Sequence, residues 1–175
     1  MSRTRLPLMA AARTRLALAA AAALLTAAAL PAAAAGKVEV SFIEPDKFAD
    51  AGRSTLDRER TLKTLSDYLQ ALGTELPDGQ TLRLEVTDLD LAGNVEPFGW
   101  RNSGEVRVLR GRADWPHMNL RYQLLAEGRE VKTGEAQLAD ISYMYSLRGR
   151  DHPQDALAYE KRMVRRWFDE TFVPR

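Results

Sequence analysis

The chain has 175 residues, with 25 basic side chains against 24 acidic ones and no cysteine. Without cysteine there is no disulfide, no thiol nucleophile, no thiolate metal site and no cysteine to carry a lipid anchor. A formal net charge of +1 gives no global attraction for nucleic acid or anionic lipid, so no nucleic-acid partner is expected.

The first residues read as an export leader. Arg3, Arg5, Arg13 and Arg15 come without an acidic residue; an apolar run follows from Leu16 to Leu30, broken by Thr26; then come Pro31, four alanines and Gly36. A positive start, an apolar middle and a small-residue end are the three parts of a secretory signal peptide, here residues 1–35 with cleavage expected between Ala35 and Gly36. The apolar run falls short of the roughly 20 residues that span a bilayer, so no transmembrane segment is expected after cleavage. The arginines are not adjacent, which argues against the twin-arginine route. The destination is therefore periplasmic or secreted. Loss of four arginines turns the remainder, residues 36–175, slightly acidic, and its length suits a single domain with a real core.

Val38 to Ile43 alternates apolar and polar residues and predicts a strand, which Pro45 ends. Glu44 to Arg53 reads as a loop whose Phe48 tucks into the core. Leu62, Leu65, Leu69 and Leu72 recur at spacings of three and four, so a helix is expected from Thr55 to Leu72, capped by Ser54 or Thr55 and ended near Gly73. Gln80 to Leu91 predicts a second strand. Its apolar face slips by one residue at Asp88, the mark of a bulge or a change of partner. Ala92 to Gly104 reads as a loop, and three more strands follow at Glu105 to Gly111, Met118 to Ala126 and Glu130 to Leu138. The last two join through a tight turn at Glu127-Gly128-Arg129, and the last one is an edge candidate. Ile141 to Pro153 is irregular. A final helix is expected from Gln154 to Phe172, with Leu157, Glu160, Val164, Trp167, Phe168 and Phe172 on its buried side.

The order β-α-β-β-β-β-α implies an α+β two-layer sandwich. Its mixed, mostly antiparallel sheet has about five strands, and both helices cover one face. The helical connection makes the first two strands parallel neighbours.

Several segments carry a resemblance. Val38-x-Val40-x-Phe42 with Pro45, Phe48 and Asp50 opens it, and Val86 to Gly93 (Val-Thr-Asp-Leu-Asp-Leu-Ala-Gly) forms its centre. Asp114-Trp115-Pro116, Leu138-Ala139-Asp140 with Tyr143, and Tyr159-Glu160-Lys161 with Trp167-Phe168 complete it. Together they resemble the bacterial secreted family catalogued as domain of unknown function 3016, over nearly all of residues 36–175. The resemblance brings no activity and no catalytic residue with it.

Two chemistries compete. Asp88, Asp90, Asp114 and Asp140 all fall at or near strand ends. Converged, they would serve a carboxylate-dependent hydrolase or hold a hard divalent cation. The plainer reading is that each bonds nearby backbone amides, as strand-end aspartates do. His117 and His152 lack metal-ligand spacing, no nucleophile elbow surrounds a serine, and no phosphate loop is present, so no cofactor is expected. The other chemistry is binding. Trp100 and Arg101 in one loop, and Tyr143 and Tyr145 beside Arg148 and Arg150 in another, have the composition of contact hot spots. Buried plugs at the ends of the sandwich are the alternative, and Trp115 and Trp167 are assigned to the core. Arg162, Arg165 and Arg166 form a basic helix face, either toward an anionic polymer or paired with Asp169. The leading expectation is a non-enzymatic module binding an envelope protein or polymer. Oligomeric state is not readable.

Overall fold

The computed structural model describes residues 35–98, 104–111, 113–145 and 155–173. Strand β1 (Lys37–Phe42) leads through helix α1 (Thr55–Ala71) to β2 (Gln80–Asp90). A hairpin follows, β3 (Asn94–Phe98) and β4 (Gly104–Val108), then β5 (His117–Ala126), β6 (Arg129–Ala139) and helix α2 (Ala158–Phe172). The main sheet has four strands in the order β1-β2-β5-β6, and β3-β4 is a separate two-stranded sheet. β1 and β2 are parallel; β2-β5 and β5-β6 are antiparallel. The fold is α+β, as the element order implies.

Side-chain alternation sets the two faces of the sheet. Rows such as Val38-Leu82-Leu124 and Phe42-Val86-Leu120 lie side by side in the register, and they share one core with Leu65 and Leu69 of α1 and Met163, Val164 and Phe168 of α2. The opposite face carries polar residues, tied across strands by Arg83 to Glu39 at 3.1 Å and Arg121 to Glu85 at 3.5 Å. Exposed pairs of this kind contribute little to stability, so the apolar face holds the sheet. Phe48 packs edge-on to Phe42. On β6, Gly134 leaves room for the Tyr122 ring, whose oxygen would lie 2.7 Å from an added Cβ. Tyr122 in turn meets Trp167 and Phe172 edge-on.

Local signals act where they were read. Ser54 Oγ accepts from the Asp57 amide at 3.0 Å and caps α1. The register of β2 against β5 shifts between Val86 and Asp88, at the slip in the pattern. Glu127 and Gly128 both have positive φ, the backbone of a two-residue hairpin turn.

Two expectations change. Ala92 to Gly104, read as a loop, contains β3. The strand expected at Glu105 to Gly111 pairs with β3 rather than joining the main sheet, which therefore has four strands and not five. Gly93 is the physical reason. At φ +78° it turns the chain out of β2, and an added Cβ would sit 2.6 Å from the Val108 carbonyl oxygen, so only glycine lets the hairpin fold back this closely. Helix α2 begins at Ala158 within the described residues, after a turn at residues 156–157.

Candidate functional site

One end of the main sheet gathers most of the polar chemistry. The C-terminal end of β2, the start of β5 and the end of β6 coincide there, with Asp90 opposite His117 and His117 opposite Ala139. The segment before α1 crosses the same end. The Asp50 amide donates to the Leu89 carbonyl at 2.9 Å, and the Leu91 amide donates to the Asp50 carbonyl at 3.1 Å.

The four aspartates reach this end, and each has its own partners. Asp88 Oδ1 accepts from the amides of Ala49 (3.0 Å) and Leu89 (2.9 Å). Asp114 accepts from the Tyr143 hydroxyl at 2.8 Å and from the Arg110 amide at 2.6 Å. Asp140, 3% exposed, accepts from Arg162 Nη2 at 2.9 Å. Asp90 faces His117 Nδ1 at 3.6 Å. Burial pushes the Asp90 carboxyl above the ordinary range; His117 pulls it down, and Asp50 and Asp88 push it further up. Among the described residues no three His, Asp or Glu side chains form a group able to hold a metal ion.

The aromatic candidates divide. Tyr143, expected on an exposed patch, is fully buried. Its hydroxyl donates to Asp114 and accepts from the Gly111 amide at 3.2 Å, and its ring meets Tyr159 edge-on at 4.8 Å. Burial and the bond to Asp114 push its pKa up to about 12, so the phenol stays a donor at every physiological pH. Tyr143→Phe should cost about 1–3 kcal/mol in urea-melt stability, because Asp114 and the Gly111 amide each lose a partner. Tyr145 is 68% exposed, with exposed Ile141 and Met144 nearby in sequence. Trp100 and Arg101 lie outside the described residues, as do Arg148, Arg150 and His152. Trp115 and Trp167 are half-buried.

The basic face of α2 is largely paired. Arg165 grips both Glu75 oxygens at 2.5 and 2.7 Å and reaches Asp169 at 2.9 Å, and these bonds raise its pKa further. Arg162 holds Asp140 and the Tyr143 carbonyl, the latter at 2.6 Å.

Sequence reasoning missed the corner where β2 passes into β3. There Arg107 of β4 turns inward, and its Nη1 donates to Asp50 Oδ2 (3.0 Å) and to the carbonyls of Ala92 (3.2 Å) and Gly93 (2.9 Å). Glu160 of α2, 1% exposed, accepts from the Ala92 amide at 2.7 Å. The Gly93 amide donates to the Asp114 carbonyl at 2.9 Å. All four backbone polar groups of the corner are thus satisfied, as buried backbone requires. Glu160 was legible as inward-facing from its helical spacing, but an arginine between two valines carries no signal of this role.

Beside the corner lies a cleft of about 650 Å3. Leu91 and Ala92, Val95 and Arg107 of the hairpin, and Leu157 to Tyr159 at the start of α2 form much of its wall. Arg53 and Asp57 near the start of α1, and Met144, also line it. Apolar walls with a few fixed polar groups are the usual composition of a binding pocket.

Residues 36–170 match a family described as protein of unknown function, DUF3016. The chain belongs to this family. No curated protein and no solved structure matches it. In this DUF3016 chain the Asp88-to-Gly93 segment builds the sheet end and its corner, and Asp114-Trp115-Pro116 supplies the bonds that anchor Gly93, Arg110 and Tyr143.

Proposed function

We propose that this DUF3016 chain is a non-enzymatic module of the bacterial envelope, exported by residues 1–35, which binds an envelope protein or polymer at the cleft end of its sheet. The observation that carries this reading is the cleft itself, a preformed recess of about 650 Å3 lying between the hairpin and the first turn of α2. Met144 on its wall and the neighbouring Tyr145 are exposed, a combination suited to contact with a larger partner. The carboxylates that a hydrolase or a cation site would need are engaged with amides, a phenol or arginine. Only Asp90, half-exposed and facing His117, offers that alternative a foothold. The leader reading has support from the family match, which begins at residue 36, next to the expected cleavage point. Among the described residues no helix is long and apolar enough to cross a membrane.

Photo-crosslinking in intact cells tests the proposal. Photoreactive residues at Trp100 and Tyr145 should each give a discrete adduct, and one at Lys63, on the exposed face of α1, should give none. Adducts equal at all three positions, or absent from both loop positions, would refute the binding reading. Titration of the protein with divalent cations would then test the carboxylates.

A further inference from the structure

We infer that the β2–β3 corner is a hinge governed by the proton on Glu160, whose ionisation favours release of the hairpin wall of the cleft. This rests on the fold and does not depend on what the cleft binds.

Three observations carry it. First, Glu160 is buried, yet only one of its oxygens meets a partner from another element, the Ala92 amide at 2.7 Å. The other, Oε2, is buried with no hydrogen bond among the described residues. A buried carboxylate with one oxygen left without a donor costs far more than a neutral carboxyl at the same place, even one whose hydroxyl lacks an acceptor. Second, the hairpin makes extensive backbone contact with no other strand or helix among the described residues. Its attachment runs through its two ends: at the corner, Arg107 on Asp50, Ala92 and Gly93, with Gly93 on Asp114; and past β4, Arg110 on Asp114 and Gly111 on Tyr143. Elements with few anchoring contacts open first. Third, the corner and the hairpin together line the cleft, through Ala92, Val95 and Arg107.

The direction follows from linkage. Burial raises the Glu160 pKa above its ordinary value; the Ala92 amide, its own backbone amide and Arg107 oppose this without cancelling it, and Asp155 adds to it. With the corner open, the carboxyl is solvated and titrates near its ordinary value. The closed corner therefore binds the proton more tightly, and its advantage is complete below the ordinary value. That advantage is lost as pH rises through the raised value, by about tenfold in the opening equilibrium for each unit of difference. The charged groups acting on Glu160 are Arg107 from β4, itself paired with Asp50 at 3.0 Å, and Asp155 from the turn before α2. Asp155 is fixed separately by Lys161 at 2.8 Å and by the Leu157 amide at 3.0 Å. These bonds outweigh its own burial and hold its pKa low.

Hydrogen exchange of the full chain from pH 4 to pH 8, corrected for intrinsic rates, reads the hinge directly. Opening at β3 and β4 amides should rise several-fold and then level off, while the β2–β5 ladder stays protected. Glu160→Gln, which keeps an acceptor for Ala92 but cannot ionise, should abolish the rise and leave the hairpin better protected at pH 7. Asp155→Asn should preserve the rise. In the wild-type chain the NMR titration of the Glu160 carboxyl carbon should share its midpoint with hairpin opening, a check that needs no variant. Hairpin protection independent of pH, a rise that survives in Glu160→Gln, or unequal midpoints would overturn the hinge.

Discussion

Arg107→Ala is expected to lower stability by about 2–4 kcal/mol, the range for removing one partner from a largely desolvated charge network. The side chain is 25% exposed, and one guanidinium nitrogen serves Asp50 and two carbonyls at once. Alanine leaves the Asp50 carboxylate and the carbonyls of Ala92 and Gly93 short of a donor, and it removes the positive charge that offsets Glu160. Lysine at this position restores charge but not the planar fork, so Arg107→Lys should recover only part of the loss. Urea melts give the global value. A fall in the midpoint at constant m marks lost stability without a change in the denatured state. Hydrogen exchange should locate the damage in β3 and β4 before it reaches β2 or β5.

Phe168→Ala is expected to cost more, about 3–5 kcal/mol, because a fully buried aromatic leaves both its transfer energy and a cavity. Phe168 is 0% exposed and sits in the core that α2 shares with the sheet, its ring 5.6 Å from that of Phe172. In a domain of this size such a loss lowers Tm by on the order of 10 °C or more. Phe168→Leu should recover much of it, since leucine refills most of the volume. This damage should spread through all elements of the core, so the exchange patterns of the two variants differ. Loss confined to the hairpin in Phe168→Ala would contradict a shared core.

The main sheet and both helices were legible because each has one buried face. Leucines at spacings of three and four in α1, and alternating residues in β1, β2 and β5, carry that face in the order of residues alone. Even the slip at Asp88 marked a true register shift. β3 was illegible for the opposite reason. It is only five residues long with Pro97 inside it, a residue that argues against a strand, and it pairs with β4 rather than with a strand whose pattern announces it. The site divides similarly. That the aspartates reach one end of the sheet follows from the strand order, but that each meets a separate partner depends on tertiary geometry. Tyr143 shows this most clearly. An aromatic in an irregular, arginine-flanked stretch looks like a contact residue, yet Asp114 and Gly111, distant in sequence, turn it into a buried strut.

The parallel pairing of β1 with β2 has a consequence for the order in which the chain can fold. β1 lies at one edge of the main sheet and has β2 as its single strand neighbour there, with Val38 opposite Leu82 and Phe42 opposite Val86. All of α1 intervenes, so a closure of roughly forty residues must precede that ladder, which slows its formation. The antiparallel β5–β6 hairpin needs only the turn at Glu127 and Gly128 and can form early. A chain emerging from its N-terminus therefore presents its first strand before its sheet partner exists, and the β1–β2 ladder cannot form until β2 has emerged.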